Sequence, residues 1–292
     1  MLASFLQFLF SGLTVGATYA LAALGFAIIY NASGVINFAQ GEFIMLGGMG
    51  AVAFTAMGLP LPVAIFLAVA LASLVGMLVN KFAIEPAGQQ ADVVALIIIT
   101  IGASLVVRGI VQVTLGKGTH ALAPFSGDQP LSIAGASLLP QSLWVMGIAA
   151  LVVILLGWFF GYSRQGKAML ATAHNKLAAE LVGISTRKVM LMSFALSAAL
   201  GAVGGVLITP ITYTSYDVGI MLGLKGFVAA TLGGLGSSLG AVIGGLMLGV
   251  LEAMTAGYVS SAYKDAMPFV LILLVLVFMP RGLLGAKLTD RV

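Results

Sequence analysis

Apolar residues run through this chain in blocks about twenty residues long, cut by short polar stretches, and this rhythm predicts the fold. Residues 1–41 contain no charged side chain. A membrane-crossing helix needs about 20 residues, so this stretch is too long for one helix and must reverse near Asn31 and Gly34. It predicts spans over residues 5–30 and 36–56. Prolines at Pro60 and Pro62 mark the next turn, and a third span follows at 63–80. Residues 81–92 form a short polar loop before a fourth span at 93–115, which carries Arg108 in its final third. Residues 116–140 read as an extracytoplasmic loop with room for a small ordered element. The fifth span, 141–161, has Trp144 and Trp158 near its two ends, as an aromatic belt places them.

Beyond a basic loop at 162–188, a span at 189–210 is closed by Pro210. From residue 218 to 251 the only charge is Lys225. One span through 226–251 would send the segment 264–280 outward and leave Arg281, Lys287 and Arg291 outside, against the positive-inside tendency. Two shorter spans, 219–236 and 239–259, keep them inside, and this version is preferred. The count is then nine crossings, N-terminus outside and C-terminus inside. If the polar string at 34–42 belongs to a broken or re-entrant segment, the count falls to eight and the N-terminus moves inside. Either way the fold class is all-α, a polytopic helical bundle of eight to nine transmembrane segments forming one transmembrane domain over residues 1–292. The first Lys or Arg is Lys81, which argues against a cleaved signal peptide.

Composition narrows the function. With 61% hydrophobic and 8% charged residues, the chain is far from the roughly 25% charged of soluble domains. It has no cysteine, which excludes disulfides, thiol catalysis and Cys-based metal sites. His120 and His174 are too few and too far apart to argue for a metal. The net charge of +4 sits in membrane-flanking loops and is no nucleic-acid signal. No Gly-x-x-x-x-Gly-Lys-[Ser/Thr] occurs, so any ATP consumed is bound and hydrolysed by another subunit. A self-sufficient channel or secondary transporter calls for charges deep in its spans; the candidates here are few and mostly near helix ends.

The basic loop sets the orientation. Arg164, Lys167, Lys176, Arg187 and Lys188 stand there against a single acid, Glu180, so the loop is cytoplasmic. It predicts a short helix: Asn175 as N-cap, the run Leu177, Ala178, Ala179, Glu180, Leu181 as helix formers, and Gly183 past the C-terminus. Leu177, Leu181 and Ile184 make one apolar stripe. Two turns are marginal alone in water, so this helix rests on the membrane surface or docks on a cytoplasmic partner.

Asn37, Gln40 and Glu42 open the second span. Polar groups there cost about 2.5–3.5 kcal/mol for charged types and point to a translocation pathway, a hinge, or interhelical hydrogen bonds. Lys225 and Arg108 are placed to snorkel from helix ends, with a transport role as the alternative for Lys225; Glu252 lies in or near a span and calls for a cation or backbone donor. Gly236, Gly240 and Gly244 recur at four-residue spacing, a row that lets helices or subunits approach closely. Gly12 with Gly16 and Gly245 with Gly249 fit the same pattern.

Three separated motifs resemble one family. The string from Leu177 to Gly183 is similar to the loop by which ABC-importer permeases fit a helix into a groove on their ATPase. Asn-Phe-Ala-Gln-Gly-Glu from Asn37 to Glu42 resembles the corresponding string of the LivH-type permeases of branched-chain amino acid ABC importers. Gly-Leu-Lys-Gly-Phe-Val-Ala-Ala-Thr-Leu-Gly-Gly-Leu-Gly from Gly223 to Gly236, with Gly240 and Glu252 beyond, is similar to that family's C-terminal signature. The resemblance implies a permease subunit of the bacterial inner membrane for leucine, isoleucine and valine. It also implies two cytoplasmic ATPase subunits, an extracytoplasmic binding protein, and a second permease subunit, a paralogue ahead of a second copy. Relatives carrying urea or short amides share these strings, so the substrate stays open.

Overall fold

The computed structural model describes residues 2–88 and 92–285. Its apolar blocks are helices: α1 (Leu2–Ser33), α2 (Gln40–Ala56), α3 (Leu61–Val79), α4 (Val93–Leu115), α5 (Pro140–Tyr162), α6 (Arg164–His174), α7 (Lys176–Leu181), α8 (Thr186–Thr212), α9 (Val218–Gly233), α10 (Ser238–Tyr258) and α11 (Met267–Phe278). α3 runs on through a π-turn, Asn80–Ile84, and a 3-10 turn, Glu85–Ala87. Two short antiparallel strands, β1 (Leu131–Ile133) and β2 (Ala136–Leu138), form a hairpin in the long loop after α4.

Among the described residues six helices are long and apolar enough to cross a membrane: α1, α3 with its extension, α4, α5, α8 and α10. α9 and α11 are shorter apolar helices. The architecture is an all-α polytopic bundle. Trp144 and Trp158 are exposed near opposite ends of α5, where amphipathic rings meet the two membrane surfaces. Lys287 and Arg291 lie outside the described residues.

α1 is the axis of the bundle, buried almost without interruption from Gly16 to Ile29 and packed against α5, α8, α9 and α10. α2 is buried from Gln40 to Ala51, enclosed by α3, α8 and α9. Such enclosure in lipid needs small residues, because hydrocarbon supplies no hydrophobic drive between helices and close backbone contact takes its place. Gly12 and Gly16 of α1 face Gly249 and Gly245 of α10. A methyl group built on Gly249 would sit 2.3 Å from the Gly16 Cα, and one on Gly245 would sit 2.3 Å from the Ala20 backbone nitrogen.

The glycine row expected at 236, 240 and 244 is not one helical seam. Gly236 stands in the turn before α10, at φ +92, and Ser237 caps that helix, its Oγ accepting from the Gly240 amide at 3.0 Å. Gly240 and Gly244 press α10 against the Gly233 and Ala229 carbonyls of α9. These three glycines therefore close a hairpin within the chain, because the turn needs a left-handed residue where a helix would need a continuous face.

Gly249→Val is expected to destabilise the protein by at least the ~1–3 kcal/mol of an overpacked core. Gly109→Ala, inside α4 where an added methyl meets nothing within 4 Å, should leave stability undiminished or raise it by up to about 1 kcal/mol. Thermal unfolding of the detergent-solubilised protein checks both.

Candidate functional site

The polar string between α1 and α2 is held off the helical path by its own side chains. Gly34, at φ +72, turns the chain out of α1. The Ser33 Oγ accepts from the Val35 amide at 3.1 Å, and the Asn37 Oδ1 accepts from the Ala39 amide at 3.1 Å. Competition of this kind between side chain and backbone ends helices. The Phe38 amide then donates to Thr100 Oγ1 of α4 at 3.2 Å, and α2 starts two residues later.

That start lies at half the depth of the bundle. Glu42 Oε1 accepts from Ser104 Oγ at 2.8 Å and from Arg108 Nη2 at 2.8 Å. Ser104 is the middle residue of α4, whose 23 residues span about 35 Å at 1.5 Å per residue. Gln40 is fixed at the same level: its Nε2 donates to the Ser197 carbonyl of α8 at 3.1 Å, and Ser197 Oγ donates to Gln40 Oε1 at 2.6 Å. α9 begins there too, since a methyl group on Gly219 would lie 2.6 Å from the Gly41 carbonyl oxygen and 3.1 Å from Glu42 Oε2. The N-termini of α2 and α9 thus converge on one carboxylate that is 1% exposed. Each helix start carries partial positive charge. Together with Arg108 they balance a charge that hydrocarbon could not hold.

Lys225 anchors a second cluster. Its Nζ donates to Glu252 Oε1 at 2.9 Å and Asp265 Oδ1 at 2.7 Å, and Tyr19 Oη donates to Glu252 Oε2 at 2.9 Å. Lys264 Nζ lies 3.6 Å from Glu252 Oε1. The cluster joins α1, α9, α10 and the lead-in to α11. The hydrogen bond from Lys225, ahead of the opposing effect of burial, holds the Asp265 carboxyl below its ordinary value. A depressed carboxyl adds stability that is fully present above the ordinary carboxyl pKa and is lost progressively as the pH falls from there through the lowered one.

Two expectations change here. Arg108 does not snorkel outward but turns inward to Glu42, and Lys225 is 5% exposed rather than reaching for the surface. In both cases a buried carboxylate offers a better partner than the distant interface. Gln40 and Glu42 are held by α8 and α4, whereas Lys225 and Glu252 pair with each other in the second cluster. Of the five polar candidates only Asn37 borders the cavity of about 500 Å³ between α1, α3, α4 and the basic loop.

The basic loop contains two helices, not one. Ser163 caps α6, its Oγ accepting from the Gly166 amide at 2.8 Å. Asn175 caps α7, its Oδ1 accepting from the Ala178 amide at 2.9 Å, and Gly183 follows at φ +87. Ala179 is buried, whereas Leu177, Leu181 and Val182 are 68%, 80% and 76% exposed. Glu180 Oε1 accepts from Thr186 Oγ1 at 2.6 Å, which ties α7 to α8.

The residues missed from sequence are the partners: Tyr19, Ser104, Ser197 and Asp265. One signal was available. Thr100, Ser104, Arg108 and Gln112 recur every fourth residue along an otherwise apolar α4, a polar stripe that a buried acid elsewhere would answer.

An enclosed helical bundle, broken backbone at mid-depth and a basic loop with an exposed apolar tip together define a membrane-embedded permease. The chain belongs to the family described as branched-chain amino acid transport system / permease component, whose model matches residues 8–276. It is 37% identical to the high-affinity branched-chain amino acid transport system permease protein LivH of Escherichia coli K12, over 99% of this chain and 98% of that one. It is 35% identical to the permease protein BraD of Pseudomonas aeruginosa, again over 99% and 98%. Among solved structures, a chain of PsaBC from Streptococcus pneumoniae in complex with Fab is similar, with a TM-score of 0.53 and 15% identity over 96% of this chain and 97% of that chain; it shares the fold. The protein is a multi-pass inner-membrane transport subunit and not an enzyme.

Lys225→Met removes the cation between two carboxylates and is expected to cost about 3–5 kcal/mol, as for a broken buried pair. Tyr19→Phe, which removes one hydrogen bond to a charged group, should cost about 1.5–3 kcal/mol. Denaturation of the purified protein in detergent, read for both variants, checks the order.

Proposed function

We propose that this chain is a transmembrane subunit of a binding-protein-dependent ABC importer for leucine, isoleucine and valine. The observation that carries this reading is the family match over nearly the whole chain, supported by relatives whose names give branched-chain amino acid transport. Two cytoplasmic ATPase subunits, an extracytoplasmic binding protein and a second permease subunit, a paralogue, complete the assembly.

In this reading the nine apolar helices α1–α5 and α8–α11 make nine crossings. The string 34–39 is the non-helical lower half of the second crossing, which α2 completes outward. The C-terminal side of α11 and the loop of α6 and α7 face the cytoplasm, as their basic residues favour. α7 is the coupling helix. Its exposed Leu177 and Leu181, with Val182 just beyond, form an apolar tip with no partner among the described residues, the kind of surface that marks a protein contact. Closure of the ATPase pair on ATP pushes α7, and α8 carries that push into the bundle. The pathway runs along the interface with the second permease subunit, while the Glu42 junction keeps α2 and α9 at fixed depth beside it.

Three measurements test this. Deletion of the gene is expected to abolish uptake of labelled leucine that isoleucine and valine compete; loss of urea or acetamide uptake instead would move the substrate and keep the mechanism. Movement of solute by the purified chain alone in liposomes would support a channel. Leu181→Asp should leave the protein in the membrane but cut ATPase association and transport at least tenfold, the effect of a lost interface anchor worth about 2 kcal/mol. Normal ATPase capture by that variant would remove α7 from the contact. Ala179 is a poorer probe, because it is buried in the loop itself.

A further inference from the structure

A cavity at the foot of α1, α3 and α4 has no part in the mechanism above. It measures about 500 Å³, within the range of small-molecule sites, and lies between the inner ends of α1 and α3, the start of α4 and the basic loop. Its walls are aliphatic and aromatic: Ile29, Val35, Ile84, Leu96, Met190 and Phe194. Charged groups of both signs stand with them, Glu85 from the end of α3 and Lys176 and Arg187 from the loop. Glu85 and Arg187 pair with each other, and a guanidinium keeps further donors free after one such contact.

Two buried polar side chains in this wall are incompletely satisfied. Asn37 is 1% exposed and its Nδ2 has no hydrogen-bond partner; Asn80 is 2% exposed and its Oδ1 has none. Asn80 opens the π-turn at the end of α3, and π-turns recur at functional sites. One group is an unused donor and the other an unused acceptor. A phosphate would answer Asn37 and Arg187 but repel Glu85 and leave the Asn80 carbonyl alone. A simple cation would do the reverse.

A molecule that presents a carboxylate, an ammonium and a short aliphatic body answers all of them. We propose that this cavity is a cytoplasm-facing binding site for an aliphatic α-amino acid, distinct from the pathway between permease subunits. The carboxylate is met by Arg187, Lys176 and the Asn37 Nδ2, the ammonium by Glu85 and the Asn80 Oδ1, and the side chain by the apolar wall. Lys176 is the first residue of α7 and Arg187 lies in the first turn of α8, so occupancy is transmitted to the segment that meets the ATPase. The ligand class rests on the importer reading above.

The test uses the assembled permease–ATPase complex in phosphatidylcholine nanodiscs without its binding protein, and measures equilibrium binding of tritiated leucine. Saturable binding is expected, displaced by isoleucine and valine but not by inorganic phosphate. Leu96→Trp, which fills the cavity, and Glu85→Gln, which removes the anion, should each weaken it by about tenfold or more, as loss of a charge-assisted contact does. Absence of saturable binding, or binding unchanged in both variants, overturns the site; displacement by phosphate alone reassigns it to an anionic headgroup. Uptake by the same complex supplied with its binding protein separates the two readings. Leucine uptake without binding overturns this inference and leaves the function, whereas binding without leucine uptake overturns the function.

Discussion

A carboxylate buried at the middle of a membrane protein needs a partner, and Glu42 sets the terms for the structure around it. The group is buried, so its negative charge cannot be left to water. Arg108 and Ser104 of α4 hydrogen-bond its Oε1, while its Oε2 has no hydrogen-bond partner and faces the starts of α2 and α9, whose partial positive charge is its compensation. Each of these demands fixes a backbone position. α1 has to end early, the chain has to climb through residues 35–39 outside a continuous helix, and the loop between α8 and α9 has to return to the same depth.

Those demands are compatible only because the helices can approach closely. Gly41 against Gly219 and Gly223, and Gly47 against Ala202, leave no room for a side chain between backbones. Polar anchoring and small-residue packing are therefore one device: the first sets depth and register, and the second lets the enclosing helices reach the anchors. The Lys225 cluster repeats the arrangement nearer the outer end of α10, where Tyr19, Glu252 and Asp265 come from three different parts of the chain.

Much of this was legible in the sequence. The boundaries of α4, α5 and α10 follow from apolar block length, because in lipid a helix must satisfy its own backbone. The cap at Asn175 and the turn at Gly183 follow from local chemistry. The helix α6 was missed, since an 11-residue segment with Gly166 inside it has no apolar block to announce it. The inward turn of Arg108 and the burial of Lys225 were missed for another reason. Snorkelling is a property of one residue and its helix end, whereas pairing depends on a carboxylate 66 or 27 positions away, and only the packed bundle brings these together. The row at Gly236, Gly240 and Gly244 was legible as a place of close helix approach, and it falls where the preferred pair of spans put their turn, with Gly236 in the turn and Gly240 and Gly244 against α9.

The central claim is that the Glu42–Arg108 pair holds α2 in place as one unit, and a double-mutant cycle on unfolding free energy in detergent tests it most directly. Glu42→Gln and Arg108→Gln should each cost about 3–5 kcal/mol by stranding a buried charge, and the double variant should be no less stable than either single one. Losses that simply add would contradict the account, because they would mean that the two side chains act independently.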